Sequence, residues 1–209
     1  MAKMTGAELV EFCRSKIGTP YIYGAKGETV TAEEFVVLQT LYGKKKVWDS
    51  DARKIGKVCV DCSGLITWAC NVPLNSAGWK SAASTVKPIS SLVTAPVGAL
   101  VWRTGHIGVY SGIKNGEPYY IAADGSQYGV REVPVSKNTF THWLLVKDVF
   151  QYEEVDEVVE KAKIIVDGKE QDVQRILKDG TNYIRVRDIA DLLGYSVSSK
   201  GSTAVLTKK

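Results

Sequence analysis

The chain has 209 residues, 44% of them hydrophobic, with a formal net charge of +4 and a sequence pI near 8.7. This length allows one domain of ordinary size and a small second module, with enough apolar content for a core. The basic excess has no dense Arg/Lys cluster besides residues 44–46, so it predicts weak adhesion to a polyanion at most and excludes a nucleic-acid partner.

The N-terminal residues carry no apolar stretch of signal-peptide length, and no segment approaches the roughly 18 apolar residues of a membrane span. We therefore expect a cytoplasmic protein without a signal peptide and without membrane insertion. The four cysteines, Cys13, Cys59, Cys62 and Cys70, are too few for a disulfide scaffold, which predicts reduced thiols. We expect no cofactor and no metal.

Helical signals dominate the first part of the chain. Thr5 with Glu8 and Thr31 with Glu34 are capping boxes, and they predict helices ending near Gly18 and Gly43. The charged stretch up to residue 57 is interpreted as a surface excursion. A short buried helix is predicted from residue 61 to a point before Pro73.

Beyond residue 96 the apolar period changes from 3.6 towards 2. Segments 99–102, 107–110, 119–123, 130–135 and 143–146 have strand length and are separated by Thr-Gly, Asn-Gly and Asp-Gly turn signals. They predict an antiparallel meander. Helices followed by strands indicate an α+β domain over residues 1–150.

An acidic linker is predicted over residues 151–162, either extended or as a short exposed helix. A small α+β module then covers residues 163–209, with three strands joined by Asp-Gly turns, a helix over 187–193, and one or two closing strands. A module of under 50 residues is near the lower size limit for independent stability, so we expect it to lean on a neighbour or on a second copy.

Cys62 is the strongest candidate for a catalytic residue. It stands where an extended stretch meets a helix start, and the helix dipole and free N–H groups there favour a thiolate, which predicts a lowered pKa. A cysteine nucleophile needs a base, and His106 and His142 are the two histidines of the chain. His106 begins a strand after a tight turn, whereas His142 leads an apolar run and is interpreted as an edge or core residue.

Cys59 and Cys62 also form a C-x-x-C pair, which leaves other interpretations open. A zinc site would need two further ligands, and no second closely spaced Cys/His pair is present in the sequence. A thioredoxin-like redox pair would need a parallel βαβ pattern. Cys62 as a small buried hydrophobic residue is the remaining structural alternative.

Three segments carry a resemblance to a known family: Gly-Thr-Pro-Tyr-Ile-Tyr-Gly (18–24), Asp-Cys-Ser-Gly-Leu-Ile (61–66), and Pro-Val-Gly-Ala-Leu-Val-Trp leading to Gly-His-Ile-Gly-Val-Tyr (96–110). Together they resemble the NlpC-type cell-wall cysteine peptidases over about residues 5–148. Segments 125–130 and 141–144 are most similar to phage endolysins and prophage wall hydrolases. The resemblance implies a papain-like α+β fold, cleavage of an amide bond in the peptide stem of peptidoglycan, and action on the wall after release at host lysis.

The resemblance also implies roles for single residues. Cys62 attacks the carbonyl carbon and His106 moves the proton. The residues implied in substrate binding are Tyr21, Tyr23, Asp61, Ser63 and Trp102. The usual polar third member is replaced by Ala122, and Asp124, two residues on and on the same strand face, or a backbone carbonyl is hypothesised to substitute for it.

Two rival functions follow from the same residues. Ala122 motivates a catalytically disabled wall-binding protein on the same fold, and an N-acetylmuramoyl-L-alanine amidase is the other alternative. Segments 164–170 and 183–195 are similar to the stalk-like domain first named from copper amine oxidases. That resemblance implies binding to peptidoglycan or teichoic acid, or homodimer formation, without copper chemistry, because the module contains no histidine or cysteine.

Overall fold

The computed structural model describes residues 3–153, 159–178, 181–200 and 203–209. The chain divides into two compact units, Met1–Glu154 and Val155–Lys209, and both combine helices with antiparallel strands. The protein is therefore of mixed α+β type. None of the helices in the described ranges has both the length and the apolar character needed to span a membrane.

Side-chain caps define where the helices of the first unit begin. Thr5 and Thr31 accept from the backbone N–H groups of Glu8 and Glu34, whose carboxylates accept from the cap N–H groups in return, so both predicted capping boxes are confirmed. The helices are α1 (Gly6–Ser15), α2 (Ala32–Tyr42), α3 (Cys62–Cys70) and α4 (Ser76–Ser81).

A six-stranded sheet forms the centre of the first unit. The strands of this unit are β1 (Met4–Thr5), β2 (Lys26–Thr29), β3 (Val58–Val60), β4 (Thr85–Pro88), β5 (Leu100–Arg103), β6 (His106–Lys114), β7 (Glu117–Ala123), β8 (Val130–Pro134), β9 (His142–Leu145) and β10 (Phe150–Gln151). The central sheet has the order β4-β9-β5-β6-β7-β8, and its pairs are antiparallel.

The predicted meander is confirmed for β5 to β8 and wrong for the last strand. β9 crosses back and pairs with β5, with Val101 opposite Trp143, and β4 then pairs with the far side of β9. Apolar alternation identifies a strand but not its neighbours. In this order β5 has a partner on both sides, so its backbone groups are hydrogen-bonded within the sheet.

Both faces of the central sheet are covered by apolar side chains. One face packs against α1 and α3, with Leu9, Leu65 and Ile121 in a common cluster. The other face buries Tyr120, Phe140 and related residues under the loops. Helix α3 is thus held against the sheet along its length, which fixes its first residue relative to β6.

A glycine allows the closest approach in this region. A Cβ on Gly64, in the first turn of α3, would collide with the carbonyl oxygen of Ala25. The backbone N–H of Asp61 donates to that same carbonyl at 2.8 Å. The segment before β2 therefore lies directly on the start of α3.

The charged stretch before β3 is not a simple surface excursion. Asp49–Lys54 forms a 3₁₀ helix, and Asp51 and Lys54 are buried while their charged neighbours stay exposed. The two side chains form an ion pair of 2.6 Å. The sequence pattern could not show which charges point inward, because the stretch mixes acidic and basic residues without an apolar period.

The second unit contains a three-stranded sheet and a separate hairpin around one helix. Its elements are β11 (Val159–Val166), β12 (Lys169–Lys178), β13 (Thr181–Ile184), α5 (Val186–Leu192), β14 (Tyr195–Lys200) and β15 (Thr203–Lys208). Residues 154–158 of the predicted linker 151–162 and the turn 179–180 lie outside the described residues. Strand β11 begins four residues before the predicted module, so residues 159–162 are strand rather than linker.

Candidate active site

Asp61 organises the start of the helix that carries Cys62. One carboxylate oxygen accepts from the Gly64 N–H at 2.6 Å and from the Ser63 hydroxyl at 3.0 Å, and the other accepts from the Gly24 N–H at 2.8 Å. This is an N-cap that also ties the preceding loop to the helix. Burial is the largest influence on Asp61 and raises its pKa.

Cys62 is the first residue of α3 and is 7% exposed. Burial, followed by the nearby Asp61 carboxylate, raises the pKa of its thiol to about 12, although backbone N–H groups of Ile107, Ser63 and Cys62 act in the opposite direction. The predicted lowering of this pKa is therefore wrong. The helix start does supply donors, but desolvation of a sulfur packed among apolar side chains outweighs them. The resting group is a neutral thiol.

His106 is held from two sides. Its Nε2 lies 3.0 Å from Asp124 Oδ1, and its ring stacks on that of Phe140 with 5.6 Å between centroids. Burial works against ionisation of Asp124, but hydrogen bonds from His106, Arg131 and Tyr120 outweigh it, and the pKa of this carboxyl is lowered. An ionised carboxylate only accepts hydrogen bonds, so Nε2 is the nitrogen that donates to Asp124 and Nδ1 is the ring nitrogen that can act on a substrate.

Asp124 lies inside the protein rather than in solvent. Its side chain is 2% exposed, and its second oxygen accepts from Arg131 Nε at 2.6 Å and from the Tyr120 hydroxyl at 2.8 Å. Ala122 is fully buried in the apolar cluster on the sheet face opposite the helices. The structure thus places the Asp124 carboxylate, and not a side chain at position 122, against His106.

The second histidine and the first cysteine of the pair are placed elsewhere. His142 begins β9 opposite Trp102, and its Nδ1 lies 2.9 Å from the Thr141 hydroxyl. Cys59 is fully buried, with its sulfur 3.5 Å from the Lys57 carbonyl oxygen. In the described part of the chain, no group of three or more His, Cys, Asp or Glu side chains could hold a metal ion.

Two adjoining clefts open over these residues. The histidine cleft, about 400 Å³, is lined by His106, Asp124 and Tyr21 among others. The cysteine cleft, about 270 Å³, is lined by Asp61, Cys62 and Ser63 among others. Both clefts share the same three residues, Tyr23, Lys46 and Gly105. A substrate that crosses this shared wall would contact Cys62 in one cleft and His106 in the other.

The predicted substrate-binding residues divide into two groups. Tyr21, Tyr23, Asp61 and Ser63 line the clefts. The pKa of the Tyr21 hydroxyl is raised by burial, and next by the closeness of Cys62 and Asp61, which locates this side chain near the thiol. Trp102 lines neither cleft. It is 8% exposed, and its indole N–H donates to the Ser76 carbonyl at 2.7 Å, so it anchors the start of α4.

Sequence reasoning missed the side chains that support Asp124 and His106. Arg131 and Tyr120 both donate to Asp124, and Phe140 stacks on His106. Register could have indicated Arg131, because β8 runs antiparallel to β7 with Arg131 opposite Ala122. Phe140 lies between elements, where no periodic pattern assigns a contact.

No known protein-family model matches the sequence, and no curated protein matches it. Among solved structures, the chain is similar to the P60 domain of an antigen from M. avium subspecies paratuberculosis. That match has 25% identity and a TM-score of 0.43, and it covers 66% of this chain and 94% of the other.

Proposed function

We propose that the first unit is a cysteine hydrolase that cleaves an amide bond in the peptide stem of peptidoglycan. The observation that carries the proposal is the hydrogen bond between His106 and Asp124. In addition, the backbone N–H of Ile107, the residue after His106, is close enough to the Cys62 sulfur to oppose the rise in its pKa. A nucleophile, a base and a group that orients the base are the parts that acyl transfer requires. The peptidoglycan substrate rests on the family resemblance of the three sequence segments.

The chemistry begins from a neutral thiol because the Cys62 pKa is raised. His106 Nδ1 takes the thiol proton as the sulfur attacks the carbonyl carbon, and Asp124 stabilises the imidazolium that forms. Backbone N–H groups at the start of α3 and the Tyr21 hydroxyl are the candidate donors to the oxyanion. The C–N bond then breaks, the amine leaves with the proton from His106, and water hydrolyses the thioester to release the carboxylic acid.

The disabled wall-binding alternative loses the observation that motivated it, because Asp124 contacts His106 despite Ala122. It makes a distinct prediction, namely wall binding with no new chemical ends. Incubation of the purified protein with Gram-positive cell walls should reduce turbidity and release free amino groups. Mass spectrometry of the fragments separates a cut inside the peptide stem from the amidase cut between muramic acid and L-Ala.

Cysteine variants test the nucleophile. Cys62→Ser should abolish hydrolysis, because a serine hydroxyl is a far weaker nucleophile with this base. Cys59→Ser is the matched control and should keep activity, since Cys59 is buried away from both clefts. Wall hydrolysis by Cys62→Ser would contradict the proposal.

A further inference from the structure

The histidine cleft has an excess of positive charge. Four cationic side chains, Lys45, Lys46, Arg103 and Arg131, line it together with a single carboxylate, that of Asp124. This carboxylate is already engaged by His106, Tyr120 and Arg131. The charge of Arg131 is therefore neutralised by Asp124, and the other three cations of the cleft are left without this carboxylate as a partner.

The three remaining cations have no carboxylate partner among the described residues. Arg103 donates only to neutral groups, the Asn138 side-chain oxygen at 3.0 Å and the Thr104 carbonyl at 3.3 Å. Lys46 lies over the Tyr23 ring at 5.2 Å. By contrast, Lys44 in the same lysine run pairs with Asp49 at 3.0 Å, and it does not line the cleft.

Unbalanced like charges that face one cleft repel one another and attract an anion. Planar guanidinium and flexible ammonium groups both bind carboxylates. A ligand with one or more carboxylates would provide the countercharge that the protein itself leaves out.

The position of His106 assigns this ligand to one half of the substrate. In the proposed reaction, which this inference rests on, the acyl half stays on Cys62 in the cysteine cleft. The amine half takes its proton from His106, which lines the histidine cleft. We propose that Lys45 and Arg103, which line the histidine cleft alone, and Lys46, on the wall shared by both clefts, bind free carboxylates on the leaving-amine half of the peptide, so that the enzyme prefers acidic stem peptides over amidated ones.

The test compares two synthetic stem peptides that differ only in carrying a carboxylate or a carboxamide on the leaving-amine half. The full chain should hydrolyse the carboxylate peptide with a kcat/KM higher by about tenfold or more, and the ratio should shrink as salt is added. Lys46→Gln and Arg103→Gln should each reduce the ratio by about fivefold, mainly through KM. Lys44→Gln is the control and should leave the ratio unchanged.

Equal hydrolysis of both peptides, or a preference that survives Lys46→Gln and Arg103→Gln together, would overturn the inference and leave the proposed function intact. Hydrolysis of neither peptide would count against the proposed function instead. In that case calorimetric binding of the two peptides to Cys62→Ala decides the inference alone. Tighter binding of the carboxylate peptide, lost in Lys46→Gln, supports it, and equal affinities overturn it.

Discussion

Asp124 combines two properties that rarely occur together, near-complete burial and a lowered pKa. Its side chain is 2% exposed, and a carboxylate in such a place is tolerated only when donors replace water. His106, Arg131 and Tyr120 supply three donors, and they outweigh the effect of burial on the pKa. The carboxylate is therefore fixed in place and charged, as the partner of a base must be.

We expect Asp124→Asn to lower kcat/KM by about 10- to 100-fold, a part of the 10²–10⁴ that general base catalysis typically contributes. An amide cannot accept from all three donors, and it does not stabilise an imidazolium by charge. Steady-state kinetics on a short stem peptide would measure the loss. Asp148→Asn changes an exposed carboxyl in the loop after β9 and is the matched control. Unchanged kinetics in Asp124→Asn would remove Asp124 from the site.

Single residues differ in how far the sequence could predict them. Cys62 and His106 follow from local signals, a cap before a helix and a turn before a strand. Asp124 follows from the period of a strand only after the family resemblance has indicated Ala122 as the usual third position. The raised pKa of Cys62 could not be predicted from the sequence. It results from burial, which depends on the packing of α3 against the sheet, and no local sequence signal indicates that packing.

At the scale of elements, the 3₁₀ helix Asp49–Lys54 ties two segments of the histidine cleft together. Lys54 Nζ donates to the carbonyl oxygens of Tyr21 at 2.6 Å and Ser126 at 3.0 Å. Asp51 accepts a hydrogen bond from the Ser126 hydroxyl at 3.0 Å and forms an ion pair with Lys54. One buried ion pair thus connects the Tyr21 segment to the loop that follows Asp124.

We expect Lys54→Met to reduce the free energy of unfolding by about 3–5 kcal/mol, because it leaves the Asp51 carboxylate buried and unpaired. The double variant Asp51→Asn/Lys54→Met should lose less than the sum of the two single variants. Urea unfolding followed by fluorescence measures both. Lys57→Met, at an exposed position three residues later, is the control. Strict additivity in this cycle would show that the ion pair has no coupling.

Glu132 links α1 to the sheet through charge. It lies on β8 and pairs with Arg14 on α1 at 3.1 Å and with Lys114 on β6 at 2.7 Å. Burial opposes ionisation, but these partners outweigh it and lower the pKa of Glu132 from its ordinary value of 4.5 to about 2. A carboxyl with a depressed folded-state pKa stabilises the fold above its unfolded pKa, and that stability is lost as pH falls towards the folded value.

The stabilisation from Glu132 should therefore be lost as the pH decreases from 4.5 to about 2. Over this interval we expect the free energy of unfolding of wild type to decrease by about 1–2 kcal/mol more than that of Glu132→Gln. This value is smaller than the pKa shift alone implies, because Arg14 and Lys114 are partly exposed and water screens the ion pairs. At neutral pH Glu132→Gln should be the less stable protein by a similar amount. Parallel pH dependences of the two unfolding free energies would contradict this role.

Element boundaries were more predictable than element neighbours. Thr5 and Thr31 predict where α1 and α2 begin, because a capping box is a local contact within four residues. The placement of β9 beside β5 joins residues about 40 positions apart, and β4 was missed because its short segment, Thr85–Pro88, ends in a proline that is typical of an edge strand. Long-range pairing is decided by the whole sheet, so no window of sequence contains it.

At the scale of the whole molecule, the two units differ in how much apolar surface they bury. The three apolar clusters that hold the site are drawn from residues of the first unit alone. In the described residues of the second unit, only Val173 and Ala190 are buried apolar side chains, and Ile165, Tyr183 and Leu193 are more than half exposed. Wall binding and self-association of this unit stay predictions from the sequence, as does the role in phage lysis.

This difference predicts separable functions. A fragment of residues 1–154 should fold, because the three apolar clusters found among the described residues lie within it, and should hydrolyse a short stem peptide with kcat/KM within about twofold of the full chain. Its clearing of intact walls should fall by about tenfold or more if the second unit holds the enzyme on the polymer, because tethering raises the local substrate concentration. Peptide kinetics and turbidity on the two proteins measure these effects, with thermal unfolding as the control for folding. A parallel loss in both assays would show that the second unit supports the active site itself, and equal wall clearing would exclude it as an anchor.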